Sequence, residues 1–282
     1  MTLTVTVPAS SANLGAGFDV LGLALSMRLS VSLDPASSRI ATGGHPARRA
    51  FEAVGGVGDI YCDDHIPSGR GLGFSGAARV GAVALGLAQR ADVSAVGLDE
   101  FISLHRAEIH RLAAELEGHG DNVGASTYGG LIVAFDDRAL ALPVVADVRV
   151  LVWIPSHTTS TDSSRASLPG DVSVKDAVVN IASSTRVVGA LVSGDVEALV
   201  DAIDDRIHQR VRLAASPSSA RMVRLMVERG AVCSWLSGSG PTVAAFVRST
   251  EAESVRAAVQ TGDVGDGRLV LLDIDPLGVT AA

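Results

Sequence analysis

Only two cysteines, Cys62 and Cys233, occur among 282 residues, and neither belongs to a CxxC or CxxH unit. A structural zinc site and a disulfide framework are therefore not expected, and a reducing compartment is the default. Lysine is almost absent: Lys175 stands alone, the other cations are arginines, and the formal net charge is −8. No Lys/Arg cluster stands out, so the basic face that a nucleic-acid partner requires is missing. Aromatic residues amount to 4%, too few for base-stacking platforms. No uninterrupted apolar run approaches the ~18 residues of a membrane span. The opening MTLTVTVPASSANLG has neither the basic region nor the apolar core of a secretory signal. These absences predict a cytoplasmic protein that acts on a small molecule, with no nucleic-acid and no membrane partner.

Glycine and small apolar residues are plentiful. There are 30 glycines, 47% of the chain is hydrophobic and 19% is charged, the composition of a globular protein that packs backbone closely. Leu3 to Pro8 alternates in period two and reads as a strand, followed by a small-residue loop to Gly17 and strand texture through Leu33. Helices are expected in HPARRAFEAVGG, ended by Gly55 and Gly56, at Ser75–Ala91, and at Asp99–Leu116 with Phe101, Ile102, Leu104, Ile109 and Leu112 near one face. DIYCDDHIP, YGGLIVAFDD and VRVLVWIPS read as strands. Beyond Pro169 come two expected helices, Val172–Val192 and Asp195–Arg212, and a third at Ser218–Arg229 behind Pro217. A strand–turn–strand unit, AVCSWLSGSGPTVAAFV, precedes a helix at Glu251–Gln260 and a last strand, RLVLLDI. The pattern predicts an α+β protein, with an N-terminal α+β domain over 1–150 and a C-terminal α+β domain over 151–282.

Four loops carry candidate chemistry. In PSGRGLGFSGAA, Gly69, Gly71 and Gly73 let the backbone turn its N–H groups inward ahead of a helix whose N-terminus favours a phosphate. A hydroxyl at Ser75 is suited to a magnesium ion bridging phosphates. No Gly-Lys-Ser/Thr follows, so this is not a Walker A loop, and the alternating glycines do not match a dinucleotide fingerprint. Taken alone, a glycine-rich strand-to-helix turn that serves packing only is the alternative reading. LSGSGPTV, between two apolar strands, is a hairpin turn by itself. PASSANLGAGFD offers Asn13 as a turn residue and Asp19 as a cap. EGHGDN reads as a polar helix end stopped by Gly118 and Gly120.

Together and in this order the four loops resemble the GHMP small-molecule kinases over about Leu3 to Val247. PASSANLGAGFD is similar to that family's first motif, GRGLGFSGA to its phosphate loop, EGHGDNV to its third block and SGSGPT to its C-terminal glycine motif. TSTDSSRASLP and DRIHQRVR are similar to segments of the family's homoserine-phosphorylating branch. The resemblance implies a GHMP kinase fold, with a ribosomal protein S5-like N-terminal half and a ferredoxin-like C-terminal half. It further implies ATP-dependent phosphorylation of the side-chain hydroxyl of L-homoserine to O-phosphohomoserine, a step of threonine biosynthesis. Another small alcohol, sugar phosphate or hydroxy acid is the alternative acceptor, and a homodimer is one assembly the resemblance allows.

Residue by residue, the resemblance implies nucleotide binding by Pro67, Gly69, Arg70, Gly71, Leu72, Gly73, Ser75 and Gly76. Mg2+ would be held by Ser75 and Glu117, with Glu115 close enough in sequence to compete. Asn13 and Asp19 would take the acceptor's ammonium end, Arg165 and Arg212 its carboxylate, and His119 and Asn122 would lie near the reacting hydroxyl. Asn122, His119 and Arg165 are thus the catalytic candidates, while His208 reads as a core or capping histidine. Three departures accompany the match. Phe74 stands where the family's phosphate loop has a first Ser. No Asn lies near His45–Arg49 on the adenine side, which leaves a nucleotide other than ATP open. Asp162, Ser163 and Ser164 replace the branch's Lys-Glu-Ala.

Overall fold

The computed structural model describes residues 3–282 apart from 92, 94, 95, 136 and 160, and only the backbone of 161–163. Strand β1 (Thr4–Ala12) pairs antiparallel with β2 (Leu21–Ser32) along its whole length. It therefore runs through Ala12, where a loop from Pro8 was expected. Pro8 has no N–H to give the ladder, and the register shifts between Pro8 and Ala9, so the strand passes the proline on a bulge. Beyond the bulge β1 stays paired with β2 as far as Ala12, opposite Gly22.

The rest of the first sheet is β3 (Arg39–Ile40), β4 (Tyr61–Asp63), β5 (Leu131–Phe135), β6 (Arg138–Leu142) and β11 (Thr280–Ala281). Only three residues of the DIYCDDHIP segment form a strand. The β5–β6 hairpin and the return of the chain to β1 as β11 were not expected. Asp136, in the expected YGGLIVAFDD strand, lies outside the described residues.

Helix α1 (Pro46–Ala53) begins on Pro46, with His45 Nδ1 accepting from the Ala47 amide. Helices α2 (Phe74–Ala91) and α3 (Leu98–Glu117) follow as expected. Phe101, Ile102 and Ile109 of α3 are buried, but Leu104 faces solvent. α3 ends on Gly118 in the left-handed conformation, and a new helix, α4 (Asp121–Tyr128), starts at once. EGHGDN is thus a corner between two helices.

The second sheet runs β10 (Arg268–Leu272), β7 (Val148–Ile154), β9 (Val243–Arg248), β8 (Cys233–Leu236), all antiparallel. This is the 4-1-3-2 order of a ferredoxin-like β-α-β-β-α-β unit, with α8 (Pro217–Glu228) before β8 and α9 (Ala252–Gln260) after β9. Period-two alternation buries both faces. Val150, Val152 and Ile154 join the large core with Val5, Leu23 and Leu85, while Leu151 and Trp153 pack with Met222, Met226 and Val259.

Between β7 and α8 lie α5 (Thr161–Ala166), α6 (Val174–Ser193) and α7 (Gln209–Ala214). The helix expected over Asp195–Arg212 is instead a single 3-10 turn at Val196–Leu199, an irregular stretch with Asp201 at φ 60°, and α7. The break has a cause in Asp205, whose buried carboxylate accepts from the amides of Ile207 (3.2 Å), His208 (2.8 Å) and Gln209 (2.5 Å) and so starts a fresh helix.

Candidate active site

The end of β1, the glycine-rich loop, the start of α4, the β8–β9 turn and the segment after β7 converge at one edge of the molecule. Their contacts are mostly backbone polar groups met by small side chains. Ser10 N–H donates to Leu72 O (3.1 Å) and Gly238 N–H to Ala12 O (3.1 Å). Ser237 Oγ donates to Gly71 O (2.6 Å) and pairs with Ser11 Oγ (2.8 Å), which also accepts from Trp235 Nε1 (3.0 Å).

Gly71 and Gly73 sit at φ 69° and 67°, where a side chain is strained. A Cβ on Gly71 would lie 2.2 Å from Ser237 O, and one on Gly73 would overlap Ser10 Oγ. The loop is therefore clamped between β1 and the β8–β9 turn, contacts that a packing turn on its own does not predict.

This loop walls a cleft of about 410 Å³, lined by Pro67, Ser68, Gly69, Arg70, Gly71, Leu72, Gly73, Phe74 and Ser75, with Glu117, His119 and Asn122 opposite, and Gly44, Pro46, Thr159, Gly238 and Ser239 at the rim. Gly76 is outside that lining; it abuts Asn122, whose Cβ would be 3.4 Å from an added methyl. The Arg70 guanidinium donates to Pro155 O (2.9 Å) and Ser156 O (2.6 Å), which ties this side chain to the segment after β7.

At the start of α2, Ser75 Oγ donates to Glu117 Oε1 (2.5 Å), and Arg79 pairs with the other Glu117 oxygen. Burial lowers the Arg79 pKa, with Arg49 acting in the same direction. Glu115, by contrast, is exposed and ion-paired to Arg111 one turn back. Ser75 and Glu117 thus bring a hydroxyl and a carboxylate together at the cleft, the hard oxygen donors that Mg2+ takes.

A second cluster adjoins the cleft. Asn13 holds the turn after β1 by donating to Gly238 O (3.0 Å) and accepting from the Asp19 amide (3.1 Å). Both Asn13 and Asp19 have positive φ, 73° and 57°, a conformation these side chains tolerate by bonding locally. Asp19 receives a two-pronged ion pair from Arg165 at 2.7 and 2.9 Å. Arg212 is 6% exposed. Its Nη1 donates to His208 Nδ1 (3.2 Å) and Gly238 O (3.2 Å), while its Nε is buried with no hydrogen-bond partner. Burial lowers the Arg212 pKa, opposed by Asp19.

His208 donates from Nε2 to Gly15 O (2.8 Å) and is wholly buried, a core histidine whose pKa burial pushes down. Asn122 Oδ1 accepts from Ser10 Oγ (2.8 Å). His119 Nδ1 is buried without a hydrogen-bond partner, 3.6 Å from Asp121. Burial raises the Asp121 carboxyl, opposed by His119, and this carboxyl accepts the Asn122 amide (2.7 Å).

The structure thus assembles the expected residues in two adjoining groups: Pro67–Ser75, Glu117, His119 and Asn122 around the cleft, and Asn13, Asp19, Arg165 and Arg212 beside it. Sequence reasoning missed Ser10 and Ser237, which lie inside recognised motifs as ordinary serines, and Phe18, whose ring lies 5.5 Å from the Arg165 guanidinium and 5.3 Å from that of Arg212. The expectations on Asp162 and Ser163 fall outside the described side chains. Ser164 is buried and donates to Ser239 O (3.4 Å).

His45, Cys62 and Asp64 gather within 4.8 Å near the rim. Because His45 Nδ1 accepts from the Ala47 amide, its proton is on Nε2 and is donated to Asp64 (3.2 Å). A ring protonated there has no lone pair for a cation, and burial pushes the Cys62 thiol up to about 12. The trio is a helix cap with a buried thiol beside it.

Comparison with known proteins gives the family. The model of the GHMP kinases N-terminal domain matches residues 45–130, and that of the GHMP kinases C-terminal region matches 187–263. The chain belongs to the GHMP kinase family and is an ATP-dependent small-molecule kinase. Its relatives include a homoserine kinase of Thermus thermophilus, 35% identical over 95% of this chain and 94% of that one, and a homoserine kinase of Rhodococcus erythropolis, 36% identical over 95% of each. A crystal structure of homoserine kinase from Cytophaga hutchinsonii shares the fold at TM-score 0.81, with 23% identity over 100% of this chain and 97% of that one. A structure of a putative homoserine kinase from Listeria monocytogenes superposes at 0.77, with 26% identity over 99% of each. Among the described residues no helix is long and apolar enough to cross a membrane.

Proposed function

We propose that this kinase transfers the γ-phosphoryl group of ATP to the side-chain hydroxyl of L-homoserine, giving O-phosphohomoserine for threonine biosynthesis. The observation that carries this reading is the Asp19/Arg165/Arg212 cluster beside the phosphate cleft. It combines one carboxylate with two guanidinium groups, one of them buried with an unpartnered Nε. A zwitterion complements it, with the ammonium on Asp19 and Asn13 and the carboxylate on Arg165 and Arg212. The Asp19–Arg165 ion pair then opens on binding, and each partner regains a charge of the opposite sign from the ligand. The names of the relatives point to the same acceptor.

The nucleotide's phosphates lie along Gly69–Gly73 and the first turn of α2, where free amides and the helix dipole favour anions. Ser75 and Glu117 hold Mg2+, which neutralises charge on the phosphates when bound. In a loose phosphoryl-transfer transition state, positioning and charge neutralisation are the main demands. Asn122 and His119 orient the hydroxyl. Arg165 acts by fixing the other end of the acceptor.

The test is direct. Purified protein with Mg-ATP should release ADP in proportion to L-homoserine and yield a product heavier by one phosphoryl group. A panel of sugar phosphates, hydroxy acids and other small alcohols should give far less ADP, and a member of that panel outrunning homoserine overturns the acceptor assignment.

A further inference from the structure

The two arginines of the acceptor cluster reach it from distant parts of the chain, Arg165 from α5 and Arg212 from α7. Side by side without a ligand, two guanidinium groups repel each other. Asp19 is ion-paired directly to Arg165 and acts on Arg212 only through space. Arg212 has no carboxylate among its hydrogen-bond partners; it touches a histidine nitrogen and a carbonyl oxygen. The Phe18 ring contacts both cations, within 6 Å of each guanidinium carbon, the range in which a ring face attracts a cation. His208, which accepts from Arg212, has its own ring 5.1 Å from that of Phe18.

Phe18 is itself held in place. It precedes Asp19, whose backbone amide is fixed by Asn13, and it follows Gly17, where a Cβ would strike the Leu21 side chain at 2.3 Å.

We propose that Phe18 is a positioning residue of the acceptor site, its ring face aligning the Arg165 and Arg212 guanidinium groups on the carboxylate of an α-amino-acid alcohol. The inference rests on the acceptor reading above and deepens it. Recognition of the carboxylate depends on a pair of arginines, and the pair depends on a neutral aromatic surface. That surface leaves both cations their charge and their N–H groups. A carboxylate in the same place would neutralise them and compete with the substrate.

The experiment compares Phe18→Leu, Phe18→Tyr and the unaltered enzyme on L-homoserine and on 3-amino-1-propanol, which keeps the alcohol and the ammonium but has no carboxylate. Phe18→Leu should raise the KM for homoserine about tenfold, the effect of losing two cation–ring contacts. Its kcat, its KM for ATP and its constants for 3-amino-1-propanol should stay within about twofold of the unaltered enzyme, and Phe18→Tyr should restore the homoserine KM. Without nucleotide, the stabilisation of the protein by homoserine in thermal unfolding should shrink for Phe18→Leu in parallel with the KM change. An unaltered homoserine KM in Phe18→Leu overturns the role, as does a loss shared equally by kcat, ATP and both acceptors. If the unaltered enzyme itself does not prefer homoserine to the amino alcohol, the acceptor reading falls and this inference falls with it. A preference that survives Phe18→Leu unchanged sinks the inference alone. Should Phe18→Leu fail to fold, Phe18→Met with the same readouts decides.

Discussion

At the scale of single residues, the site is built from side chains whose types say little by themselves. Ser75 is one serine among many, yet it begins a helix with its hydroxyl on the buried Glu117 carboxylate. Replacing it with alanine removes one oxygen donor at the proposed magnesium position and no core contact. Ser75→Ala should lower kcat by roughly 10²-fold while the melting temperature moves little; a variant that loses stability in step with activity would make Ser75 a structural residue. Glu117 and Glu115 are two residues apart, and no local rule chooses between them. Helix geometry does: on a 3.6-residue turn they point in different directions, and only Glu117 turns toward α2 and the cleft.

At the scale of elements, legibility followed periodicity. α2, α3, α6 and the strands β7 and β9 have repeats of 3.6 or 2 long enough to read, and they were found near where they lie. α4 was missed because Gly118 and Gly120 read as a helix stop where the chain turns a corner into a new helix, and β6 because it forms only as the hairpin partner of β5. β3 and β11, with two residues each, carry no period. The expected helix over Asp195–Arg212 failed for a different reason. Its apolar spacing is helical, but the Asp205 side chain competes for three backbone amides and restarts the chain at α7. That capping carboxylate also bonds Asn180 (2.7 Å) and sets the first turn from which Arg212 projects. Asp205→Ala should destabilise the protein by about 2–4 kcal/mol in urea titrations, since it strands several buried donors. It should also raise the homoserine KM more than the ATP KM. Equal effects on both substrates would argue that α7 serves the whole edge and not the acceptor cluster.

At the scale of the molecule, one core joins both sheets, and two histidines are buried within the fold, His110 and His208. Burial holds the pKa of each below 6.5. The unfolded chain therefore takes up their protons first as pH drops, and the stability present above about pH 6.5 is lost on the way down through the folded-state values. Asp121 acts oppositely, because its raised carboxyl favours the protonated folded state. With Asp121 replaced by asparagine, the two histidines should lower the melting temperature between pH 7.5 and 5.5; a rise on acidification in that variant would show that they do not govern the pH dependence.

The sequence by itself determined the α+β class, the family and the four loops, because those rest on periodicity, glycine placement and motif order, all local along the chain. It also named, through resemblance, most of the residues proposed for the site. Tertiary structure alone decided that the glycine-rich loop is clamped by Ser10 and Ser237, that Arg70 turns its guanidinium to Pro155 and Ser156, and that Phe18 lies against two arginines more than 140 positions further on. Such contacts depend on which buried faces meet when the two sheets share a core. No spacing within one segment encodes that.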